Sequence, residues 1–170
     1  MKKQILFTES EIKNKVGEIA HNLKKREHDF PPVFICVLNG AFMFFTDLVK
    51  RVGECEIDFI RAKSYTGITQ TSVSISKSIE IDIARKDVYL VDDIYDTGET
   101  MKALIQHLNL NNPKSITPIT LFKRWSSHNS DLIYGFELKT ETFLVGYGLD
   151  NEKGLQRNQK YITGIADDVN

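Results

Sequence analysis

The chain has 170 residues, of which 41% are hydrophobic and 26% are charged, and its net charge is −1. This length and composition are typical of one globular domain over residues 1–170, and the near-neutral charge gives no global attraction to nucleic acid or to anionic membranes. The two cysteines, Cys36 and Cys55, have no metal-ligand spacing. No apolar run has the length of a secretory signal or of a membrane span. We therefore expect a cytoplasmic enzyme or binding protein without a nucleic-acid or membrane partner.

The first predicted element is a helix that begins after Thr8, because Thr8 and Glu11 form a capping-box pattern. Apolar residues then recur at helical spacing, at Ile12, Val16, Ile19, Ala20 and Leu23. The apolar run 33–38 predicts a buried strand. A turn at Asn39-Gly40 connects this strand to a second helix that ends at about Arg51.

The middle of the chain alternates between strand and helix patterns. Residues 54–63 predict a strand, residues 65–72 are small and polar and predict a mobile loop, and residues 72–76 predict another strand. A second apolar run at 87–91 is followed by a helix to about Leu108, and the later strand patterns cover 115–122, 132–138 and 142–147. This order predicts a mainly parallel sheet with helices on both faces, and the β segments towards the chain ends predict an appended lobe.

The stretch Asp96-Thr-Gly-Glu-Thr100 lies between the predicted strand 87–91 and the helix after it. Gly98 permits backbone conformations that other residues resist, and the start of the helix presents unpaired N–H groups and the positive end of its dipole. Thr97 and Thr100 add hydroxyl groups. At the carboxyl edge of a parallel sheet these features predict a cradle for a monophosphate.

Asp92 and Asp93 stand directly before this cradle. Taken singly, each acid is compatible with a helix cap. A pair of acids would repel a bound phosphate unless sugar hydroxyls or Mg²⁺ intervened, and Mg²⁺ favours one or two carboxylates together with ligand oxygens. The ordered combination therefore favours a phosphorylated ribose bound with a metal ion.

The whole stretch from Val88 to Thr100 resembles the phosphoribosyl-pyrophosphate signature of type I phosphoribosyltransferases. Over residues 8–165 the chain is similar to the hypoxanthine(-guanine) branch of that family, of the short bacterial type. The resemblance implies an α/β fold, with a central mainly parallel sheet flanked by helices and a small hood lobe built from the chain ends. Other motifs keep the family's order: a pyrophosphate loop at Val37–Ala41, a lid entry at Phe59–Tyr65, a purine-reading strand end at Leu121–Arg124, a purine-binding segment at Phe143–Asp150, and Arg157-Asn158.

The resemblance also implies a role for individual residues. It implies transfer of 5-phosphoribosyl from phosphoribosyl pyrophosphate to N9 of hypoxanthine, and of guanine, in purine salvage, with Mg²⁺ as cofactor and Asp96 as the catalytic base. Ribose and 5′-phosphate contacts are implied for Asp92, Asp93, Asp96, Thr97, Gly98, Glu99 and Thr100. Pyrophosphate and lid contacts are implied for Asn39, Gly40, Ser64, Tyr65 and Arg157, purine contacts for Lys123, Phe143, Leu144 and Asp150, and metal contacts for Asp92, Asp93 and Asp150.

Several of these residues depart from the family pattern or have a plainer interpretation. Lys123 alone would be taken for a surface lysine, and Phe143 alone for a core residue. The segment from Asp150 to Arg157 is one residue longer than usual, which would move the arginine if the chain kept its usual path. The family's second basic residue after Lys123 is replaced by the run Trp125–His128.

Two alternative functions remain open at this point. One is phosphoribosyl transfer to another base, such as xanthine, uracil, adenine or orotate, although the ammonium of Lys123 suits a 6-oxo group better than the amino group of adenine. The other is a regulator that senses phosphoribosyl pyrophosphate and binds nucleic acid, for which the near-neutral charge provides little support. The resemblance further implies a homodimer or homotetramer.

Overall fold

A computed structural model describes residues 3–66, 71–139, 142–151 and 153–165. The elements in chain order are β1 (Lys3–Phe7), α1 (Glu9–Leu23), β2 (Val33–Leu38), α2 (Phe42–Val52), β3 (Glu56–Thr66), β4 (Thr71–Lys77), β5 (Asp87–Tyr95), α3 (Glu99–Asn109), β6 (Ser115–Arg124), β7 (Ile133–Leu138), β8 (Phe143–Val145) and β9 (Ile162–Ile165).

Six strands form the main sheet, in the order β4-β3-β2-β5-β6-β7. Every neighbouring pair is parallel except β3 and β4, which run antiparallel. The apolar runs of β2 and β5 lie at the centre, where both faces of the sheet are covered. The predicted mainly parallel sheet is therefore confirmed, and the carboxyl ends of β2, β5 and β6 lie at one edge.

Helices cover both faces of this sheet, as predicted. Helices α1 and α2 pack on one face, where Phe34 and Tyr89 join Phe44 in one hydrophobic core, and α3 packs on the other, where Ile35 joins Leu104 in a second. Successive side chains of a strand point to opposite faces, so the neighbours Phe34 and Ile35 enter different cores. Burial on both sides explains why β2 is a continuous apolar run.

A separate three-stranded antiparallel sheet, in the order β1-β9-β8, forms the predicted hood from the two chain ends. The prediction of a helix as the first element was wrong, because β1 precedes α1. Strand β1 pairs with β9, for example Lys3 with Ile165. A pairing between opposite ends of the chain leaves no local pattern in either segment.

Helix α1 begins with the capping box that the sequence predicted. The Thr8 hydroxyl accepts a hydrogen bond from the Glu11 N–H at 3.3 Å, and the Glu11 carboxylate accepts one from the Thr8 N–H at 2.8 Å, which completes the predicted capping box.

The loop predicted for residues 65–72 is shorter than expected. Strand β3 continues to Thr66 and β4 begins at Thr71, with these two residues paired across the hairpin. Ladder hydrogen bonds come from the backbone, so polar side chains do not prevent the pairing. Residues 67–70, the tip of the predicted loop, lie outside the described residues. Among the described helices, none combines the length and the apolar character needed to cross a membrane.

Candidate active site

Two carboxylates near the end of β5 form the electrostatic centre of the site. Asp92 and Asp93 are both half-buried beside one another. Burial, reinforced by the charge of Asp93, raises the pKa of Asp92 well above its ordinary range. Burial also raises the pKa of Asp93 to about 6, although the Ile94 N–H and the charge of Arg157 act in the opposite direction. Two adjacent half-buried acids with raised pKa values favour a site that receives a cation or hydroxyl donors.

Glycines allow three distant segments to meet at this acid pair. A Cβ atom on Gly40 would lie 1.5 Å from Oδ2 of Asp93, so any larger residue there would displace the Asp93 carboxylate. Gly148 has a φ of 102°, and a Cβ atom on it would lie 2.0 Å from the carbonyl oxygen of Gly40. The predicted pyrophosphate loop, the acid pair and the predicted purine-binding segment therefore pack against one another through backbone and carboxylate atoms.

A cavity of about 490 Å³ opens beside these glycines, and we call it the carboxylate cavity. The site residues predicted from sequence that line it are Asn39, Gly40, Asp92, Asp93, Thr100, Asp150 and Arg157. These residues come from the stretches 39–40, 92–100 and 150–157, and the fold brings them to one cavity.

Arg157 reaches the carboxylate cavity in spite of the longer segment before it. Its Nη2 atom lies 2.7 Å from Oδ2 of Asp150, and its Nη1 atom donates to the Gly148 carbonyl at 2.7 Å. The side chain of Asn151 accepts hydrogen bonds from the N–H groups of Lys153 and Leu155, which folds the segment into a compact turn. Arg157 lines the cavity, so the longer segment does not carry it away.

A smaller cavity of about 180 Å³ lies at the start of α3, and we call it the cradle cavity. Gly98 has a φ of 84° and directly precedes α3, and a Cβ atom on it would lie 2.3 Å from the Tyr95 hydroxyl oxygen. The first turn of α3 begins at Glu99, whose N–H donates to the Thr97 hydroxyl oxygen at 3.4 Å. N–H groups in the first turn of a helix lack partners within the helix and favour an anion. The predicted residues that line the cradle cavity are Asp92, Asp93, Asp96, Thr97, Gly98 and Thr100. Three of them also line the carboxylate cavity, so the two cavities adjoin.

Lys123 is held by β7 in the structure. Its Nζ atom lies 2.8 Å from Oε2 of Glu137, on the paired position of β7, and 4.8 Å from the ring centroid of Tyr134. The hydrogen bond to Glu137 raises the pKa of Lys123, and the same bond lowers the pKa of Glu137. Lys123 does not line either of the two cavities within the described part of the chain.

The other predicted purine contacts lie in the hood. Phe143 is the first residue of β8 and its side chain is 49% exposed, so an aromatic face is available to a ligand. Leu144 is buried, which leaves only its backbone as a possible contact. The backbone of Ser64 and Tyr65 belongs to β3, and their side chains lie outside what the structure describes.

Asp96 is exposed, with 62% of its side chain accessible. Its Oδ1 atom lies 3.7 Å from Nε of Arg124, and its carbonyl oxygen accepts a hydrogen bond from the Ser127 hydroxyl. An exposed carboxylate with a fixed backbone can accept a proton from a bound base.

Three further residues, which were not predicted, line the carboxylate cavity or contact a predicted site residue. Lys63 lines the carboxylate cavity, and its position directly before Ser64 was a usable signal. Arg124 was visible only as the neighbour of Lys123. Glu137 had no signal in the sequence, because its role depends on the β6–β7 pairing.

The model of the phosphoribosyl transferase domain matches residues 5–152, and the chain therefore belongs to the phosphoribosyltransferase family. The chain has the type I phosphoribosyltransferase fold that the sequence predicted, as its resemblance to solved structures of this family shows. This family assignment follows from the fold and the site together with the match.

Within the family, the chain is similar to purine enzymes. It is 34% identical to a hypoxanthine-guanine phosphoribosyltransferase of Staphylococcus aureus, across 98% of this chain and 96% of that protein. It is 34% identical to a hypoxanthine-guanine-xanthine phosphoribosyltransferase of Tritrichomonas foetus, across 86% of this chain and 83% of that protein. The crystal structure of a hypoxanthine phosphoribosyltransferase from Staphylococcus aureus matches with a TM-score of 0.87 and 32% identity, covering 96% of this chain and 91% of that one.

Proposed function

We propose that this protein is a purine-salvage enzyme that transfers the 5-phosphoribosyl group from phosphoribosyl pyrophosphate to N9 of hypoxanthine, and of guanine. The observation that carries the proposal is the meeting of the Asp92–Asp93 pair with the phosphate cradle on one side and with Asp150 and Arg157 on the other. A ligand with a phosphate at one end, a diol in the middle and a diphosphate at the other end matches this order of groups.

The phosphate groups of the substrate are assigned to the two ends of the site. The 5′-phosphate is bound in the cradle by Thr97, Gly98, Glu99 and Thr100, with Glu99 contributing its backbone N–H. The diphosphate is bound at the Asn39–Gly40 loop and by Arg157, whose planar guanidinium suits two oxygens at once. Ser64 and Tyr65 are assigned to a lid that excludes water from the reacting carbon.

The acid pair and Asp150 are assigned to the ribose hydroxyls and to Mg²⁺. No group of three or more metal-ligating side chains converges on one point within the described residues. Mg²⁺ takes one or two carboxylates and completes its coordination with waters and substrate oxygens, so the acid pair would supply its protein ligands. The raised pKa values of Asp92 and Asp93 support the assignment, because a cation would relieve their mutual repulsion. Bound Mg²⁺ would neutralise charge on the departing diphosphate.

The base is assigned to the space between the end of β6 and the hood. Phe143 stacks on the purine, and Leu144 and the Asp150 carbonyl contact its edge. The ammonium of Lys123 leaves Glu137 when the base binds and donates to the 6-oxo group. The bond from C1′ to the diphosphate breaks, the bond from C1′ to N9 forms, and Asp96 accepts the proton that the imidazole ring loses. The sugar passes through an oxocarbenium-like transition state.

The direct test is to incubate the protein with phosphoribosyl pyrophosphate, Mg²⁺ and each nucleobase in turn, and to detect the nucleotide by liquid chromatography. We expect product with hypoxanthine and guanine. Product with xanthine would add the activity named for the Tritrichomonas foetus relative. Product with uracil or adenine alone, or no product with any 6-oxopurine, would refute the proposal.

Three broader expectations belong to the same proposal. The chain is a single domain, it is located in the cytoplasm, and it assembles as a homodimer or homotetramer. Gel filtration with light scattering gives the assembly state, cell fractionation the location, and limited proteolysis the domain boundary.

A further inference from the structure

Arg124, at the end of β6, contacts two parts of the proposed base-binding region at once. Its side chain is 10% exposed. Nε lies 3.7 Å from Oδ1 of Asp96, and both Nη1 and Nη2 lie 3.4 Å from the carbonyl oxygen of Thr142. Thr142 directly precedes Phe143, so one guanidinium links the proposed base to the strand that carries the proposed stacking ring.

The direction of Arg124 follows from its place in the strand. Successive side chains of a strand point to opposite faces, and Lys123 is turned towards Glu137 and Tyr134. Arg124 is consequently turned towards Asp96 and the hood. Of these two neighbouring cations, the described contacts place only Arg124 beside the Asp96 carboxylate.

A guanidinium this deeply buried has to be matched by negative charge or by acceptors, since an unpartnered buried charge is strongly unfavourable. The exposed carboxylate of Asp96 has no comparable burial to fix its direction. Its backbone is already fixed from the same region, because the Ser127 hydroxyl donates to the Asp96 carbonyl. A rigid cation next to it supplies the missing constraint on the side chain.

We propose that Arg124 is a positioning residue, which holds the Asp96 carboxylate and the Thr142–Phe143 segment in a fixed relation across the base-binding region. The inference rests on the proposed function, in which Asp96 accepts the proton of the base and Phe143 stacks on it. A general base must lie within hydrogen-bond reach of the proton it removes, and a displacement of about 1 Å can lower the rate by ~10²-fold.

The test begins with Arg124→Met, which keeps most of the aliphatic stem and removes the guanidinium. We expect kcat with hypoxanthine to fall by ~10- to 100-fold and KM for hypoxanthine to rise, whereas KM for phosphoribosyl pyrophosphate changes little. Arg124→Lys keeps the charge but not the planar guanidinium, so its kcat and its KM for hypoxanthine should lie between those of Arg124→Met and the wild type. Arg26→Met, which removes an arginine that contacts the Tyr89 ring at 6.0 Å, is the matched control and should retain wild-type kinetics.

A double-mutant cycle with Asp96→Asn distinguishes positioning from general support of the fold. If Arg124 acts on kcat through Asp96, kcat of the double variant should be no lower than that of Asp96→Asn alone, while the rise in KM for hypoxanthine through Phe143 persists. Added guanidinium should restore part of the activity of Arg124→Ala, which a purely structural loss would not allow. A loss of kcat in the double variant equal to the product of the two single losses would overturn the proposal. A failure of added guanidinium to restore activity would overturn it as well.

The cycle can also be measured by thermal unfolding without ligands, because the contact between Arg124 and Asp96 is present in the free protein. Non-additive shifts in Tm are expected there, and additive shifts would overturn the contact itself. Should Arg124→Met fail to fold, Arg124→Lys takes its place in both cycles. Absence of nucleotide formation by the wild type would instead refute the proposed function, and would do so independently of the Tm result.

Discussion

Replacing Asp93 by asparagine should stabilise the free protein while it abolishes most of the activity. The pKa of Asp93 is raised from an ordinary 3.8 to about 6 in the fold, chiefly by burial. The folded state therefore holds this proton more tightly than the unfolded state, and stability is lost as the pH rises from about 4 through 6. At about 1.36 kcal/mol per pH unit, a shift of roughly 2 units means that the ionised carboxylate destabilises the fold by at most about 3 kcal/mol at pH 8.

Asparagine carries no charge and removes this penalty. Its amide group places two N–H donors beside Gly40, where an acceptor oxygen stood, and this should offset about 1 kcal/mol of the gain. A net gain of about 1–2 kcal/mol corresponds to a rise in Tm of roughly 2–8 °C for a protein of this size. Calorimetry at pH 8 and at pH 4.5, without metal or substrate, measures this rise.

The gain in Tm should shrink at pH 4.5, where Asp93 of the wild type is already protonated. A Tm that is unchanged or lower at pH 8, or a gain that is equal at both pH values, would show that Asp93 is not an unfavourably buried charge. Asp58→Asn is the matched control, because it should lower the stability of the fold instead of raising it. Burial alone would raise the pKa of Asp58, but N–H groups of Phe59, Glu80 and Ile81 and the charge of Lys77 together lower it. Loss of this carboxylate should destabilise the fold by about 1–3 kcal/mol.

Three other substitutions test the site from different directions. Asp96→Asn should lower turnover with hypoxanthine by ~10²–10⁴-fold while binding of phosphoribosyl pyrophosphate, measured by calorimetry, survives. Glu137→Gln removes the carboxylate that raises the pKa of Lys123, so that pKa should fall and the alkaline limb of kcat/KM for hypoxanthine should move to lower pH. Gly40→Ala puts a methyl group on the position of the Asp93 carboxylate and should raise KM for phosphoribosyl pyrophosphate by about 10-fold, or ~1.4 kcal/mol.

Two surface variants serve as controls for these substitutions. Glu18→Gln also removes the partner of a lysine, Lys15, at 2.6 Å, and should leave the pH profile in place. Gly17→Ala adds a methyl group that meets no atom within 4 Å inside α1, and should stabilise the protein by roughly 0.5–1 kcal/mol. Unchanged turnover in Asp96→Asn would refute the base assignment. An unchanged alkaline limb in Glu137→Gln would show that Lys123 takes no part in base recognition. Normal kinetics in Gly40→Ala would show that the Gly40 loop takes no part in diphosphate binding.

Elements whose signals are local were predicted well. The apolar runs at 33–38 and 87–91, the helix start at Thr8 and the glycine turn at Gly98 each depend on a few consecutive residues, so their physical chemistry can be read from the sequence. Strands β1 and β9 were missed because each is stabilised by the other across almost the whole length of the chain. Such pairing has no periodic signature in segments of four or five residues.

The sequence by itself determined the apolar strand β5, the paired acids in its second half and the glycine turn that begins α3, because these residues are adjacent in the chain and their local structure does not depend on distant partners. Only the tertiary structure decided which residues from other parts of the chain lie next to them. Close approach through Gly40 and Gly148 brings Arg157 to the acid pair, and the pairing of β6 with its neighbours turns Lys123 to Glu137 and Arg124 to Asp96. These contacts depend on strand register and backbone packing between remote segments, which are properties of the folded chain as a whole.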